Sequence, residues 1–180
     1  MTPEAGIDAI YEAALAQMLT IIGGVRPDQL ALPTPCVDWD VRALLNHVVS
    51  GLGRFAAMAS GQPEQFATTG PEVGDAAASA YRDGIPELLA AFRDHPESSR
   101  RTRSIHLIEC AVHAWDLAEA TGQADRLDPE IAEAALAQAR ENLTALARTS
   151  SDMFGAEIGV AATAPAYERL AGFLGRLPAA

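Results

Sequence analysis

Apolar residues recur at helical spacing along most of the chain, whereas runs that alternate apolar and polar residues are nearly absent. Alanine- and leucine-rich stretches are separated by glycine and proline, a pattern that favours helices joined by turns over strands. We therefore expect an all-α protein, a helix bundle with long connections and a short C-terminal helix. The predicted helices run from residue 3 to about 22, over 41–59, roughly 72–93, 105–121, 129–148 and 165–174.

Residues that cap or interrupt helices set several of these boundaries. Asp40 is a good N-cap for the second helix because its carboxylate can accept from the first backbone N–H groups. Gly84 and Pro86 fall inside the third pattern, so we expect a kink or two pieces there. The polar and basic segment 94–104 is predicted as a connection, and 155–162 as a short extended piece within a longer one.

The fourth helix carries ionisable side chains on one narrow face. In a helical projection His106, Glu109, His113 and Asp116 fall within about 80° of arc, and nearly every other position from 105 to 118 is apolar. A helix that is apolar almost all round belongs in the centre of a fold. Burial of four ionisable groups is costly unless something pairs them, and a divalent cation is a compact partner.

The spacing within this stripe predicts part of a metal site. Glu109 and His113 stand at i and i+4, which directs both side chains to one point beside the helix. A carboxylate with an imidazole suits zinc or a similar ion, but a third ligand must come from another helix, and we predict His47. Two alternatives stay open: an exposed polar face of a surface helix, and a buried network with the arginines of 100–103.

The second helix offers further groups near His47. Gly51 leaves space one turn away, where a ligand can approach, and Arg54 offers a cation beyond it. Trp39 and Trp115 are interpreted as core anchors. Neither Cys36 nor Cys110 has sequence neighbours that would lower the pKa of its thiol.

Composition narrows the classes of partner and compartment. The 180 residues include 13 Lys and Arg against 24 Asp and Glu, a formal net charge of −11 that disfavours nucleic acid and anionic lipid. The N-terminus is acidic where a secretory signal is basic, and no apolar run reaches the length of a spanning helix. Two cysteines 74 positions apart form no CxxC pair. We expect one domain, over 1–180, in a cytoplasmic protein.

Three stretches resemble a known family. TPCVDWDVRALLNHVVSG resembles the metal-binding signature of the mycothiol-dependent maleylpyruvate isomerase N-terminal family, a branch of the DinB-like metalloenzyme superfamily. HLIECAVHAWDLAEATGQ is similar to its second signature, and APAYERLAGFLGRLP to the closing segment of its small single-domain members, known from actinobacteria. The resemblance implies a DinB-like four-helix bundle that binds a divalent metal, usually zinc, through His47, Glu109 and His113.

The resemblance also implies a chemistry. Three protein ligands leave one coordination position open, as in catalytic zinc sites. In the family this position is thought to take the sulfur of a low-molecular-weight thiol such as mycothiol, whose pKa the metal lowers. The implied function is a metal-dependent transferase or isomerase that uses the thiol for S-transfer or isomerisation of a small electrophilic substrate.

Three further residues are predicted to take part. By position, Asp116 is expected to accept a hydrogen bond that orients an imidazole, and His106 to act as a proton carrier or alternate ligand at the mouth of the site. Arg54 is expected to hold a carboxylate of the substrate or of the thiol cofactor. These three are the candidate catalytic residues, and Arg54 is also the candidate for cofactor binding.

The sequence also departs from the family. The isomerase itself carries a further C-terminal domain, and the segment between the third and fourth helices is shorter here, so its specific activity does not transfer. Two alternative functions therefore stand beside the thiol-dependent one. One is a pathway-specific cyclase or isomerase on the same bundle that uses no thiol, and the other is a non-catalytic metal-binding protein. The resemblance to the family is also the basis on which a homodimer is expected.

Overall fold

The computed structural model describes residues 3–37, 39–63, 70–143 and 154–176. Within these ranges the chain forms α-helices and no strand, and the only bridge between extended residues joins Pro33 to Asp40. The all-α expectation is therefore confirmed. The α-helices of the described residues are α1 Pro3–Gly23, α2 Val41–Ala59, α3 Ala77–Asp94, α4 Pro96–Thr121, α5 Pro129–Asn142 and α6 Ala166–Phe173.

Helix α4 lies at the centre of the bundle. It packs against α1, α2 and α5, and less extensively against α3 and α6, while α3 packs mainly along α2. Every residue from 105 to 118 is buried, including the four ionisable ones. The alternative of an exposed polar face is therefore wrong, because the neighbouring helices cover α4 on all sides over this stretch.

Helix α4 is also longer than the sequence pattern indicated. It begins at Pro96, so the segment 94–104, predicted as a connection, is mostly its first turns. Pro96 suits the first position of a helix because its missing N–H has no helical partner there. Arg100 and Arg101 are exposed, and Arg103 pairs with Asp8 on α1. In the described structure these arginines therefore do not form the expected network with the buried ionisable residues of α4.

The other helices follow the predictions with local differences. α2 has the predicted bounds, and the backbone N–H of Ala43 donates to Asp40 over 2.8 Å, which confirms the cap. α3 is one continuous helix that begins at Ala77 rather than near 72. Gly84 allows α2 to approach it, since a Cβ there would lie 2.8 Å from a methyl group of Leu52. The expected end of the fifth helix, near 148, falls outside the described residues.

The C-terminal segment is held against an irregular stretch rather than a strand. The backbone N–H groups of Gly155 and Ile158 donate to the carbonyls of Leu174 and Gly172, over 3.2 Å and 2.8 Å. The extended piece predicted over 155–162 therefore pairs locally with the end of α6 but forms no regular ladder. No helix in the described part of the chain is both long and apolar enough to span a membrane.

The cap of α2 gives a first test of the fold. We predict that Asp40→Ala lowers the free energy of unfolding by about 1 kcal/mol, because the exposed carboxylate satisfies an otherwise unpaired N–H of the helix that carries His47. Urea denaturation of the purified variant measures this change. Asp40→Asn keeps a cap and should stay within a few tenths of a kcal/mol. Equal losses in both variants would show that the cap is unimportant.

Candidate metal centre

Three side chains from two helices meet inside the bundle. Oε2 of Glu109 lies 3.3 Å from Nε2 of His113 on the same helix and 3.4 Å from Nε2 of His47 on α2. Each of the three residues is at most 5% exposed. The structure thus brings together the residues that the sequence predicted as metal ligands.

The geometry and the hydrogen bonding of this cluster fit a cation. Ligand atoms about 2.0–2.1 Å from a tetrahedral zinc ion lie about 3.3–3.4 Å from one another, close to the two distances seen here. The second oxygen of Glu109, Oε1, is buried and has no hydrogen-bond partner among the described residues. A buried carboxylate oxygen without a partner is rare in folded proteins and marks a place where an ion or water is expected.

Asp116 determines which nitrogen of His113 is exposed to the site. Oδ2 of Asp116 lies 2.9 Å from Nδ1 of His113, and a carboxylate can only accept, so Nδ1 carries the proton. In a neutral imidazole, Nε2 then presents its lone pair to Glu109, and two lone pairs 3.3 Å apart need a proton or a metal ion between them.

The buried carboxylates and imidazoles of this cluster shift one another's pKa values. Burial alone would lower the pKa of His113, but the carboxylates of Glu109 and Asp116 raise it above the ordinary value. Burial likewise opposes ionisation of Glu109, yet the two histidines hold its pKa well below the usual range. A metal ion at this position therefore competes with a proton shared by the cluster, and its affinity should fall in acid.

Arg54 and Trp39 flank His47. The guanidinium of Arg54 folds back along α2 and donates to the carbonyl oxygen of His47 over 3.0 Å and to Ser50. Burial lowers the pKa of Arg54, and the charge of Glu109 partly offsets this. The ring of Trp39 lies 4.3 Å from the His47 imidazole, and this half-buried residue packs against the hydrophobic core, as expected, at the edge next to the site.

A small cavity adjoins the cluster. Its volume is about 10 Å³, which is the room that one water needs. Arg54 is the half-buried member of its lining, and the other residues around it are buried. The solvent side of the cavity is therefore at Arg54, next to the space that Gly51 leaves on α2. The lining comprises Met18, His47, Val48, Gly51, Arg54, Phe55, Tyr81, His106, Glu109, Cys110 and His113.

His106 lies deeper than the sequence suggested. Its Nδ1 is 2.5 Å from the hydroxyl of Tyr11, its Nε2 is 3.4 Å from Sγ of Cys110, and its ring stacks on Phe55. Burial lowers its pKa to about 3, so the imidazole is neutral near pH 7. His106 therefore forms part of the inner wall and does not stand at the mouth. Its role as proton carrier or alternate ligand stays a prediction.

Two residues near the site escaped the sequence reasoning. Arg176 donates from Nε to both oxygens of Asp116 over 3.1 Å, although 60 positions separate them in the chain. Cys36, which precedes α2, has its sulfur within 4.8 Å of ligand-capable atoms of His113 and Asp116. Helical periodicity relates residues within one helix and gives no signal for either contact.

The fold and the site together define a helical bundle with a buried, two-histidine and one-carboxylate candidate metal centre. The model of the mycothiol maleylpyruvate isomerase N-terminal domain family matches residues 11–118 of this chain, more than half of its length. The chain belongs to this family, and the resemblance noted in the sequence is confirmed. The matched region contains all three predicted ligands.

Curated relatives come from Mycobacterium tuberculosis. The uncharacterized proteins Rv0738 of strain H37Rv and MT0763 of strain CDC 1551 are each 34% identical to this chain over 182 residues. In both cases the match covers 92% of this chain and 95% of the relative. No solved structure shows significant similarity to the chain. The comparisons therefore assign the family and leave the substrate to be argued from the site.

The two cysteines should differ sharply in reactivity. Cys110 is 3% exposed, and burial raises the pKa of its thiol to about 12, whereas Cys36 is only half-buried. We predict that a disulfide reagent at pH 8 labels Cys36 in the native protein and reaches Cys110 only after unfolding. Cys36→Ala should abolish the native reaction. Rapid labelling of native Cys36→Ala would contradict the structure.

His106 should contribute to acid unfolding. Its pKa is about 3 in the folded protein and near 6.5 when unfolded, so the unfolded chain binds the extra proton between these values. Stability should therefore fall with decreasing pH below about 6.5, by up to about 1.4 kcal/mol per pH unit from this residue. His106→Gln should show a shallower fall in urea denaturation with chelator present. His95→Gln, at an exposed position, is the control, and identical slopes for all three proteins would refute the assignment.

Proposed function

We propose that this protein is a metal-dependent enzyme that uses a low-molecular-weight thiol of the mycothiol type for S-transfer or isomerisation of a small electrophile. The chain belongs to a family that is named for a mycothiol maleylpyruvate isomerase, and this supports both the use of a thiol and the isomerase reaction class. The observation that carries the proposal is the Glu109 carboxylate, which lies between two histidine nitrogens and whose buried second oxygen has no hydrogen-bond partner in the part of the chain that the structure describes.

The proposal assigns separate roles to the residues around the cluster. His47, Glu109 and His113 would hold the ion, zinc being the best match to two imidazoles and a carboxylate. When bound, such an ion lowers the pKa of a thiol so that thiolate is present near neutral pH. Asp116 keeps the proton of His113 on Nδ1, which leaves Nε2 available as a ligand.

The charges in the described structure favour an anionic partner at this site. Arg176 is hydrogen-bonded to Asp116, and the charges of Arg54 and Glu109 attract each other, so the two guanidinium groups offset the two carboxylates. The cluster is therefore close to neutral before a divalent cation is added and positive afterwards. A positive, largely buried site favours a thiolate or a carboxylate over a neutral ligand.

The size of the cavity limits how a thiol would be bound. With room for about one water, it is too small for the body of a cofactor, so only the sulfur end of a thiol would approach the cluster. The rest of the thiol would therefore lie outside, past the half-buried Arg54, whose positive charge would attract an anionic group of the thiol or of the substrate. This places recognition of the thiol and of the electrophile at the half-buried mouth rather than in the bundle core.

Calorimetry of metal and thiol binding tests this function. We expect the protein to bind about one equivalent of Zn²⁺, and mycothiol to bind to the zinc-loaded form but not to the metal-free form. His47→Ala should weaken zinc binding by more than about 100-fold. Loss of a hydrogen-bond partner of a ligand typically weakens metal binding by about 10–100-fold, and loss of the ligand itself should cost more. His95→Ala, a histidine on the exposed surface, is the matched control and should behave as the wild type.

The failures of this experiment are informative in different ways. Zinc binding without any thiol binding would refute the proposed chemistry and favour a thiol-independent enzyme or a non-catalytic metal-binding protein. Absence of zinc binding by the wild type would refute the metal centre itself. Equal zinc affinity of the wild type and His47→Ala would show that the metal binds elsewhere.

A further inference from the structure

Arg176 forms a buried ion pair beside the candidate metal centre. Its Nε lies 3.1 Å from both carboxylate oxygens of Asp116, and its guanidinium stacks over the ring of Phe154. Arg176 is 7% exposed and Asp116 is fully buried. Charged residues are rarely this buried unless they are paired, so the contact between Arg176 and Asp116 is what makes the burial of both groups tolerable.

The backbone around Arg176 is fixed by close contacts. Gly175 has a φ of +79°, and a Cβ at this position would lie 2.6 Å from backbone atoms of Gly155. The N–H of Gly155 donates to the carbonyl of Leu174, and the N–H of Arg176 donates to that of Ala171 over 2.9 Å. The end of α6 is therefore a rigid support that sets where the guanidinium stands.

The carboxylate of this ion pair also contacts His113, one of the predicted metal ligands. The same oxygen of Asp116 that accepts from Arg176, Oδ2, lies 2.9 Å from Nδ1 of His113. The three groups thus form a chain from the C-terminal segment through Asp116 to the imidazole whose Nε2 points to Glu109. Burial alone would lower the pKa of Arg176, but the charge of Asp116 raises it, so the cation persists at this buried position.

Removal of the guanidinium would change the Asp116 carboxylate. Without the guanidinium, the carboxylate loses the hydrogen bonds that fix its orientation, and it can turn toward other donors. His113 would then lose the acceptor that holds its proton on Nδ1. Partners of this kind typically change metal affinity by about 10–100-fold.

We propose that Arg176 is a positioning residue that holds Asp116 against His113 and thereby sets how tightly the three ligands bind their metal. This inference rests on the proposed metal site. It assigns a role to the end of the chain, outside the residues 11–118 that the family model matches. Arg176 acts through Asp116 and touches neither the ligand atoms nor the cavity.

Zinc affinity in a double-mutant cycle tests the proposal. Competition with a chromophoric chelator should show that Arg176→Gln and Asp116→Asn each weaken Zn²⁺ binding by about 10–100-fold. Because Arg176 acts through Asp116, the double variant should be no weaker than Asp116→Asn alone, within about twofold. Arg169→Gln is the matched control, since Arg169 ties α6 to Glu133 and to the carbonyl of Ala164 without reaching the site; it should bind zinc as the wild type does.

Two results would overturn the proposal. One is an Arg176→Gln affinity within about twofold of the wild type, and the other is a double variant whose loss is the product of the two single losses. Should Arg176→Gln fail to fold, Arg176→Lys keeps the charge but loses the planar fork, and it should still weaken zinc binding while Arg169→Lys does not.

The tautomer of His113 gives a second readout that needs no metal. Nitrogen-15 NMR of the metal-free protein, recorded at a pH high enough for the His113 imidazole to be neutral, should show its proton on Nδ1 in the wild type, and a mixture of tautomers in Arg176→Gln or Arg176→Lys. An unchanged tautomer in the variants would contradict the positioning role. If the wild type binds no zinc, the proposed function fails, while this measurement still decides whether Arg176 positions His113.

Discussion

The buried carboxylate of Glu109, on the central helix α4, is the constraint on which the site depends. Its Oε2 contacts two imidazoles, its Oε1 has no partner among the described residues, and the helices around α4 exclude bulk water. An anion in such a position is unfavourable by several kcal/mol unless cations compensate it. The histidines and the two nearby arginines can be understood as the groups that make this burial tolerable, and a bound divalent ion would complete that compensation.

Much of this arrangement could be predicted from the sequence because it depends on spacing within single helices. The stripe from His106 to Asp116 is a consequence of helical periodicity, and burial of the stripe follows from the apolar residues around it. To predict His47 as the third ligand, a second helix had to be chosen. The position of His47 near Gly51, on an amphipathic helix, supported that choice. The capped start of α2 and the short α6 were likewise visible in local residue preferences.

The predictions failed where long-range packing outweighed local preference. The polar start of α4 is helical because Pro96 opens the helix and Arg103 pairs with Asp8 on α1, a contact between residues 95 positions apart. His106 is at the inner wall because Tyr11 and Phe55, from two other helices, enclose it. The contact of Arg176 with Asp116 depends on how α6 docks, and no periodicity connects these residues.

The predicted metal ligands and the residue proposed to orient one of them come from different parts of the chain. All three predicted ligands lie within the segment that the family model matches, whereas Arg176 comes from beyond it. The predicted ligands and their spacing therefore accompany the fold, while the proposal for Arg176 makes the orientation of His113 depend on how the C-terminal segment docks. A bundle of this family can keep the same metal ligands and still differ in metal affinity through that segment. By the same reasoning, the choice of thiol and electrophile is expected to depend on residues at the mouth, where Arg54 stands, rather than on the ligands themselves.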